Sequence, residues 1–499
     1  MSYFELFKLA VPETIIVVVA LLVLAADLLT LRDVEPHFRK LIGAMLGSVG
    51  CIGAIAWMLL VPEHVNYSSG ILVVDSLTQT VKIGILALTL FTLLISVETS
   101  FTPHVGEYFA LIMLAAVGMM FLVSSEDILM IFISLELTSL SLYILTAFNK
   151  RNIKSAEAAL KYFLFGGMSA AFTLFGLSLL YGLSGSTNLS QIAAAVQGPH
   201  LDPLLVAAIV MTVIGFGFKV AAVPFHLWAP DAYEGAPAPS AAFIASGSKV
   251  ASFFVFAKVL IIGFAGAEGT GGWRAYTPGW VPALAAVAVV SMLLGNLAAI
   301  VQTSVRRLLA YSAIAHAGYM LLGFLSHSGQ SFTSITYYAV TYGLTTLGAF
   351  GVISVVQEST GSDKLADFAG LSRRSPLLAF CMMIFMLSLA GIPPLAGFFG
   401  KFYVFSAAIG GADGLSRLWL IIAAIALSAV SLYYYLQVLK QIYVVPPATT
   451  ASEFKTPILA QVVLAIVALA VVVLGCAPDL LVSRLTAAVQ LARLASGTQ

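Results

Sequence analysis

The chain is 499 residues long, 60% apolar and only 9% charged, with a net charge of +1 and a mean hydropathy of +1.01. Such values exclude an ordinary soluble domain, and a near-neutral charge without a basic tail or polybasic run gives no footing for nucleic acid. Cys51, Cys381 and Cys476 stand apart, with no CxxC and no histidine at metal-ligand spacing, so neither a disulfide framework nor a zinc or iron–sulfur site can be read.

From the N-terminus onward, apolar stretches recur at close to the ~20 residues a helix needs to cross ~30 Å of hydrocarbon. Their approximate spans are 11–31, 40–61, 77–98, 106–123, 127–148, 156–183, 203–227, 240–265, 280–303, 308–326, 332–356, 376–410, 415–440 and 457–477, fourteen in all. The first lacks a basic start and a small-residue cleavage site, and it is expected to stay as a helix rather than leave as a signal. A β-barrel would need alternating short strands, which are absent. Gly215–Lys219, GFGFK, does not complete GxGxxG because Val220 holds the last position, and no βαβ unit surrounds it.

Loop charges set the expected orientation. With the N-terminus outside, the inner loops hold Arg32, Arg39, Lys40, Lys150, Arg151, Lys154, Arg306, Arg307, Lys364, Arg373, Arg374, Lys440 and Lys455. The outer side holds only Lys8, Arg274, Arg417, Arg484 and Arg493. Thirteen against five follows the positive-inside bias, and an even number of spans puts both termini outside.

Those eighteen leave six of the 24 Lys and Arg within spans: Lys82, Lys161, Lys219, Lys249, Lys258 and Lys401. A charge at the bilayer centre costs about 2.5–3.5 kcal/mol on insertion scales, so such residues normally face a protein interior or a wet cavity. Lysine is also the base whose proton affinity moves readily on burial, whereas arginine stays charged. A set of lysines without arginine therefore suggests groups that release protons. Lys82 lies a turn inside its span and can snorkel to the interface. Lys161 follows Glu157 by four residues, which suits a surface ion pair as well as a functional role. Lys258 comes nine residues after Lys249 and points to a different side, leaving a structural or a functional role open. Lys219, Lys249 and Lys401, with Glu136 in ISLELTSLSLYIL as the one carboxylate near mid-span, are too deep to snorkel comfortably.

Two spans place a lysine beside helix breakers: GFGFK before Pro224, and GIPPLAGFFGK, with Pro393, Pro394, Gly397 and Gly400 before Lys401. Broken membrane helices free backbone groups, which is tolerable only beside a protein-enclosed polar space. Paired interruptions point to a transport site. Glu136 precedes Lys219 by 83 residues and His316, in AYSAIAHAGYMLLGF, precedes Lys401 by 85, with the aromatic, glycine-rich KYFLFGGMSAAFTLFG and YYAVTYGLTTLGAFG between them. The spacing predicts an all-α integral membrane protein of about fourteen transmembrane helices with two inverted five-helix repeats, each containing a broken helix. Its expected parts are 1–105 (three helices), 106–270 (spans 4–8), 271–442 (spans 9–13) and 443–499 (helix 14 and tail). A plain bundle with coincidental prolines is the alternative.

AEAALKYFLFGG (156–167), GFGFKVAAVPFHLWAPDAYEGAP (215–237), RLLAYSAIAHAGY (307–319) and GIPPLAGFFGKFYVF (391–405) resemble the antiporter-like membrane subunits of respiratory complex I, the proton-pumping NADH:quinone oxidoreductase. Within that family subunit N fits best. The long lateral helix of subunit L is not seen after span 14, and Lys401 stands where subunit M characteristically has a glutamate. Multi-subunit sodium/proton antiporters share the first half-motifs and are the main rival. The resemblance implies roles for Glu136 and Lys219 as a carboxylate–lysine pair, Lys249 as central lysine, Lys401 as terminal lysine, Lys161 as a further span-6 lysine and His316 as a bridging polar group. His226 and Trp228 look like interfacial anchors.

The resemblance also implies a chain without redox cofactors of its own. FMN, iron–sulfur clusters and quinone are expected in partner subunits, among them antiporter-like subunit M and small membrane subunits, within a lipid bilayer. Three functions compete: a redox-driven proton-pump subunit, a sodium/proton exchanger and a purely structural membrane subunit. Only one deep carboxylate is available for a hard cation, and the structural reading leaves four deep ionisable residues without a role.

Overall fold

The computed structural model describes residues 7–61, 65–67, 70–196, 202–270, 277–325, 330–410, 417–447 and 456–496. Arg274 and Lys455, two of the loop charges above, lie outside them, as does the side chain of Arg493.

Polar residues at the ends of apolar runs start several helices. After α1 (Val11–Leu29) and α2 (Pro36–Leu60) comes a small antiparallel hairpin of β1 (Val65–Tyr67) and β2 (Leu72–Val74). Asp75 then opens α3 (Ser76–Ser96) with a reciprocal capping box to Thr78. α4 (Val105–Ser124) is followed by α5 (Ile128–Thr146), capped by Asp127, and by α6 (Ile153–Ser184), capped by Asn152. Each cap accepts from N–H groups that the first helical turn leaves without partners.

Beyond the short α7 (Leu189–Ala195), Asp202 caps α8 (Pro203–Val220), and after a break comes the short α9 (Trp228–Gly235). α10 (Ala238–Ala245) and α11 (Gly247–Lys258) come next, with a π-turn at Val259–Gly263. α12 (Trp280–Ile300), α13 (Val305–Leu321) and α14 (Gln330–Thr360) lead to α15 (Leu371–Arg374) and the paired short helices α16 (Pro376–Ala390) and α17 (Ala396–Ile409). α18 (Leu418–Tyr443), α19 (Ile458–Cys476) and α20 (Asp479–Ser496) end the chain.

Among the described residues thirteen helical stretches are long and apolar enough to cross a membrane. The sequence span 376–410 is instead two short helices, α16 and α17, parted at Gly391–Leu395. The span expected at 203–227 ends its first helix at Val220, and the chain resumes beyond the break as α9. α14 is almost wholly buried from Ser331 to Val356 and packs on α10, α11, α16, α17 and α19, making it the central post. α1 and α2 lean on α4, where Arg39 holds Asp27 through both oxygens at 2.8 and 2.7 Å and the Gly106 N–H adds a third bond at 2.9 Å.

Candidate functional site

Three of the deep lysines sit within a few residues of a place where the helical ladder stops. Lys219 is in the last turn of α8, which closes on Ala221 in the left-handed region at φ 59°. The loop beyond is held by Val223 N–H on the Ser291 hydroxyl (2.9 Å) and by the Trp228 indole N–H on the Phe218 carbonyl (2.9 Å). The Lys219 ammonium donates to the Ser139 hydroxyl of α5 and faces the rings of Phe218 and Tyr143, 5.4 and 5.8 Å to their centroids. Glu136 lies one turn before Ser139 on α5, and no ion pair within 4.0 Å joins it to Lys219 among the described residues. The carboxylate and the ammonium are thus neighbours with a hydroxyl in attendance.

Lys249 shows an interruption that sequence reasoning missed. Span 8 is broken at Ser246 (φ −112°, ψ −83°), between α10 and α11, and Lys249 lies in the first turn of the second piece. The residue is 1% exposed, and its ammonium donates to the Ala313 carbonyl of α13 at 2.9 Å and faces the Tyr342 ring at 5.7 Å. The available signal was the Ser-Gly-Ser run directly before the lysine.

Lys401 reaches back across the α16–α17 break. Its ammonium donates to the carbonyls of Leu389 and Ala390 (3.1 and 2.9 Å) and to the Ser428 hydroxyl (2.8 Å). The last carbonyls of a helix have no partner within it and carry the negative end of its dipole, so the end of α16 is a ready cation cradle. Gly391 turns the chain there at φ 88°, and a Cβ on it would come within 3.1 Å of the Lys401 side chain.

Between Lys249 and Lys401 stands His316, 2% exposed. Its Nδ1 pairs with the Tyr338 hydroxyl at 2.8 Å and its Nε2 with that of Tyr435 at 3.1 Å. Tyr435 pairs in turn with Ser312 at 2.5 Å, and the neighbouring Tyr434 reaches Asn296, which donates to the Tyr319 hydroxyl. The Tyr342 ring next to Lys249 also meets the His316 ring (5.0 Å), and the Tyr319 ring lies 5.2 Å from the Lys401 ammonium. A polar file of histidine, tyrosines, asparagine and serine therefore lies between the two lysines. Sequence reasoning found His316 and missed the tyrosines, whose signals were the aromatic runs YYAVTY (337–342) and YYY (433–435) and the Tyr319 that follows His316 by three residues.

The other expected positions differ in kind. Lys161 is 40% exposed and forms ion pairs with Glu157 (2.7 Å) and Asp231 (2.8 Å), away from the buried file. Lys82 does not snorkel: it is 1% exposed and pairs with Glu13 of α1 at 2.6 Å, because the neighbouring helix brings an equally buried carboxylate to meet it. Lys258 is buried on the Val123 carbonyl (3.1 Å) and near Glu126 (3.5 Å). Trp228 is no interfacial anchor: it is 2% exposed and stacks on Tyr162 at 4.2 Å, since its N–H is needed at the end of α8. His226, two residues earlier in the same loop, is likewise buried.

Residues 125–431 match the family described as NADH:quinone oxidoreductase/Mrp antiporter, TM. NADH-quinone oxidoreductase subunit N 2 of Acidobacterium capsulatum is 54% identical over 489 residues, covering 96% of this chain and 98% of the relative. Subunit N of Moorella thermoacetica is 39% identical, covering 91% and 93%. A chain of respiratory complex I from Thermus thermophilus superposes with a TM-score of 0.77 at 32% identity, covering 95% of this chain and 98% of that one. A chain of the Mrp complex from Dietzia shares the fold, with a TM-score of 0.81 at 18% identity over 97% of each. With the match spanning more than half its length and relatives above 30% identity along nearly all of it, the chain belongs to the NADH:quinone oxidoreductase/Mrp antiporter family of membrane subunits, on the branch of subunit N.

Proposed function

We propose that the chain is the proton-translocating subunit N of the membrane arm of an NADH:quinone oxidoreductase, driven by redox chemistry in partner subunits. The observation that carries this reading is the set of three lysines at backbone interruptions, two of them joined by the His316–tyrosine file. A proton is taken up from the inner side at Lys219, passes to Lys249 when the pairing of Lys219 with Glu136 changes, and continues through His316 and ordered water to Lys401. The Ser139 bond is the open arrangement of that pair; sliding the ammonium along α5 by one turn would close it. Moving one charge through 100 mV takes about 2.3 kcal/mol, and each pKa unit is worth about 1.36 kcal/mol, so changes of a few units in a lysine's affinity are of the right size.

The route runs through two inverted five-helix units, 106–270 and 271–442, flanked by 1–105 and 443–499, with Lys161 acting at the inner end of the first. Glu136 is only half-buried and shares its face of α5 with the exposed Leu129, Ile133, Leu140 and Ile144. A carboxylate at that depth is costly against lipid, which favours a covering neighbour such as a small membrane subunit. Antiporter-like subunit M, and redox subunits carrying FMN, iron–sulfur clusters and quinone, complete the assembly. The proposed location is a bacterial inner membrane with both termini on the outer side. In the intact complex, Lys219→Ala and Lys401→Ala each lower the number of protons translocated per electron; an unchanged stoichiometry overturns the route.

A further inference from the structure

The proton route depends on how far Lys219 stands from Glu136, and the backbone next to that lysine is held from outside its own helix. The Phe218 carbonyl, beside Lys219 in the chain, is bonded by Trp228 at the start of α9. α9 therefore braces the end of α8, and whatever positions α9 also positions the first lysine.

Two carboxylates one turn apart on α9 are gripped from both sides. Asp231 accepts at Oδ2 from Lys161 of α6 (2.8 Å) and at Oδ1 from Arg307 of α13 (2.8 Å). Glu234 accepts at Oε1 from Lys154 of α6 (3.1 Å) and at Oε2 from the same Arg307 nitrogen (2.9 Å). Each carboxylate oxygen thus holds one cation, alternately from the two flanking helices. Arg306 adds a bond from α13 to the Ala236 carbonyl (2.8 Å) that ends α9. Gly235 lets α9 lie close on α6, where a Cβ would meet Ala158 and the Lys154 carbonyl at 2.5 Å.

α13, the helix supplying Arg306 and Arg307, is also the helix whose Ala313 carbonyl holds Lys249 and whose His316 stands before Lys401. A single rod therefore touches the brace of the first lysine, the second lysine and the bridge to the third.

We propose that Asp231 and Glu234, held between Lys154 and Lys161 on α6 and Arg307 on α13, form an ionic clasp that sets the separation of Lys219 from Glu136 and ties it to the position of α13. This inference rests on the proton-translocation reading. Arg307, Asp231 and Glu234 are positioning residues, acting on Lys219 through α9, Trp228 and the Phe218 carbonyl.

The test uses the assembled complex in sealed vesicles, with the amount of complex read on native gels and NADH-driven proton translocation read by a pH-sensitive dye. Asp231→Asn and Arg307→Gln slow translocation per assembled complex by up to about a hundredfold, the scale of a ~1 Å misplacement of a reacting group, and displace its pH optimum. Arg307→Lys restores most of the rate. Trp228→Phe keeps the ring on Tyr162 but deletes the N–H donor, and it moves rate and pH optimum the same way without touching the clasp. Wild-type rates and pH optima in these variants, or losses that track only the amount of assembled complex, overturn the clasp. Lys219→Ala separates the two ideas: if it stops translocation while the clasp variants pump normally, the route stands and the clasp falls. If Lys219→Ala itself pumps normally, the route has failed.

Discussion

At the scale of single residues, the Glu13–Lys82 pair shows how a charge is kept inside a membrane protein. Both side chains are almost fully buried, at 1% and 2% exposure, and lie 2.6 Å apart. Removing one partner of a buried pair leaves the other charge uncompensated, at a cost of about 3–5 kcal/mol, whereas replacing both can be neutral. Glu13→Gln or Lys82→Met alone should therefore lower the midpoint of thermal unfolding and the yield of the protein, and the double substitution should recover most of both. Equal losses in single and double variants would show that the pair is not the cause. The residue types were legible in the chain but the partnership was not. Depth along a span can be counted from sequence, whereas the turn of α1 that faces α3 depends on packing between helices. Lys219, Lys249 and Lys401 were legible for the opposite reason: their depth alone makes lipid exposure expensive.

At the scale of elements, a broken helix does two things at once. It ends one ladder, leaving carbonyls at the close of α16 for the Lys401 ammonium, and it starts the next, α17, that carries the lysine itself. Gly391 makes the turn possible. Gly391→Ala would hold an L-residue in the left-handed region, costing about 1–2 kcal/mol, and would press the Lys401 side chain from 3.1 Å away. Slower proton translocation in an assembled, less heat-stable complex is the expected result. A variant as stable and active as the parent would show that the turn tolerates a side chain. The breaks near Pro224 and Pro393–Pro394 could be read from sequence because proline cannot continue a helix. The one at Ser246 could not, since Ser-Gly-Ser is also what close helix packing in membranes favours. The tyrosine file escaped for a further reason, as its members come from α12, α13, α14 and α18 and meet only in three dimensions.

At the scale of the whole molecule, parts far apart in sequence are joined by charge as well as by apolar contact. Burial alone would raise the Asp231 carboxyl, but the hydrogen bonds from Lys161 and Arg307 hold it below its ordinary 3.8. A carboxyl lowered in the folded state stabilises fully above its unfolded value and loses that contribution as pH falls through the folded one. The difference in unfolding midpoint between the parent and Asp231→Asn should hence be constant from about pH 5 upward and vanish in acid below 3.8. A difference that disappeared near neutrality would mean the ion pairs do not join the parts. The succession of spans was readable because hydrophobic length is local. Which span becomes the central post was not, since hydropathy counts length, and the dense Ser, Thr and Tyr of α14 do not say which helices will enclose them.

That post has a bearing on how the protein comes to be made. α14 is almost wholly covered by other helices from Ser331 to Val356, with Thr341, Thr345, Thr346 and Tyr338 among its enclosed side chains. A helix with so little surface for acyl chains is a poor resident of the bilayer alone, yet it emerges from the ribosome before α16, α17 and α19, which complete its sheath. During synthesis it must wait in a half-built groove of earlier helices, so biogenesis has an unfinished stage at which an insertase or chaperone would find a hydroxyl-rich segment still open on one flank.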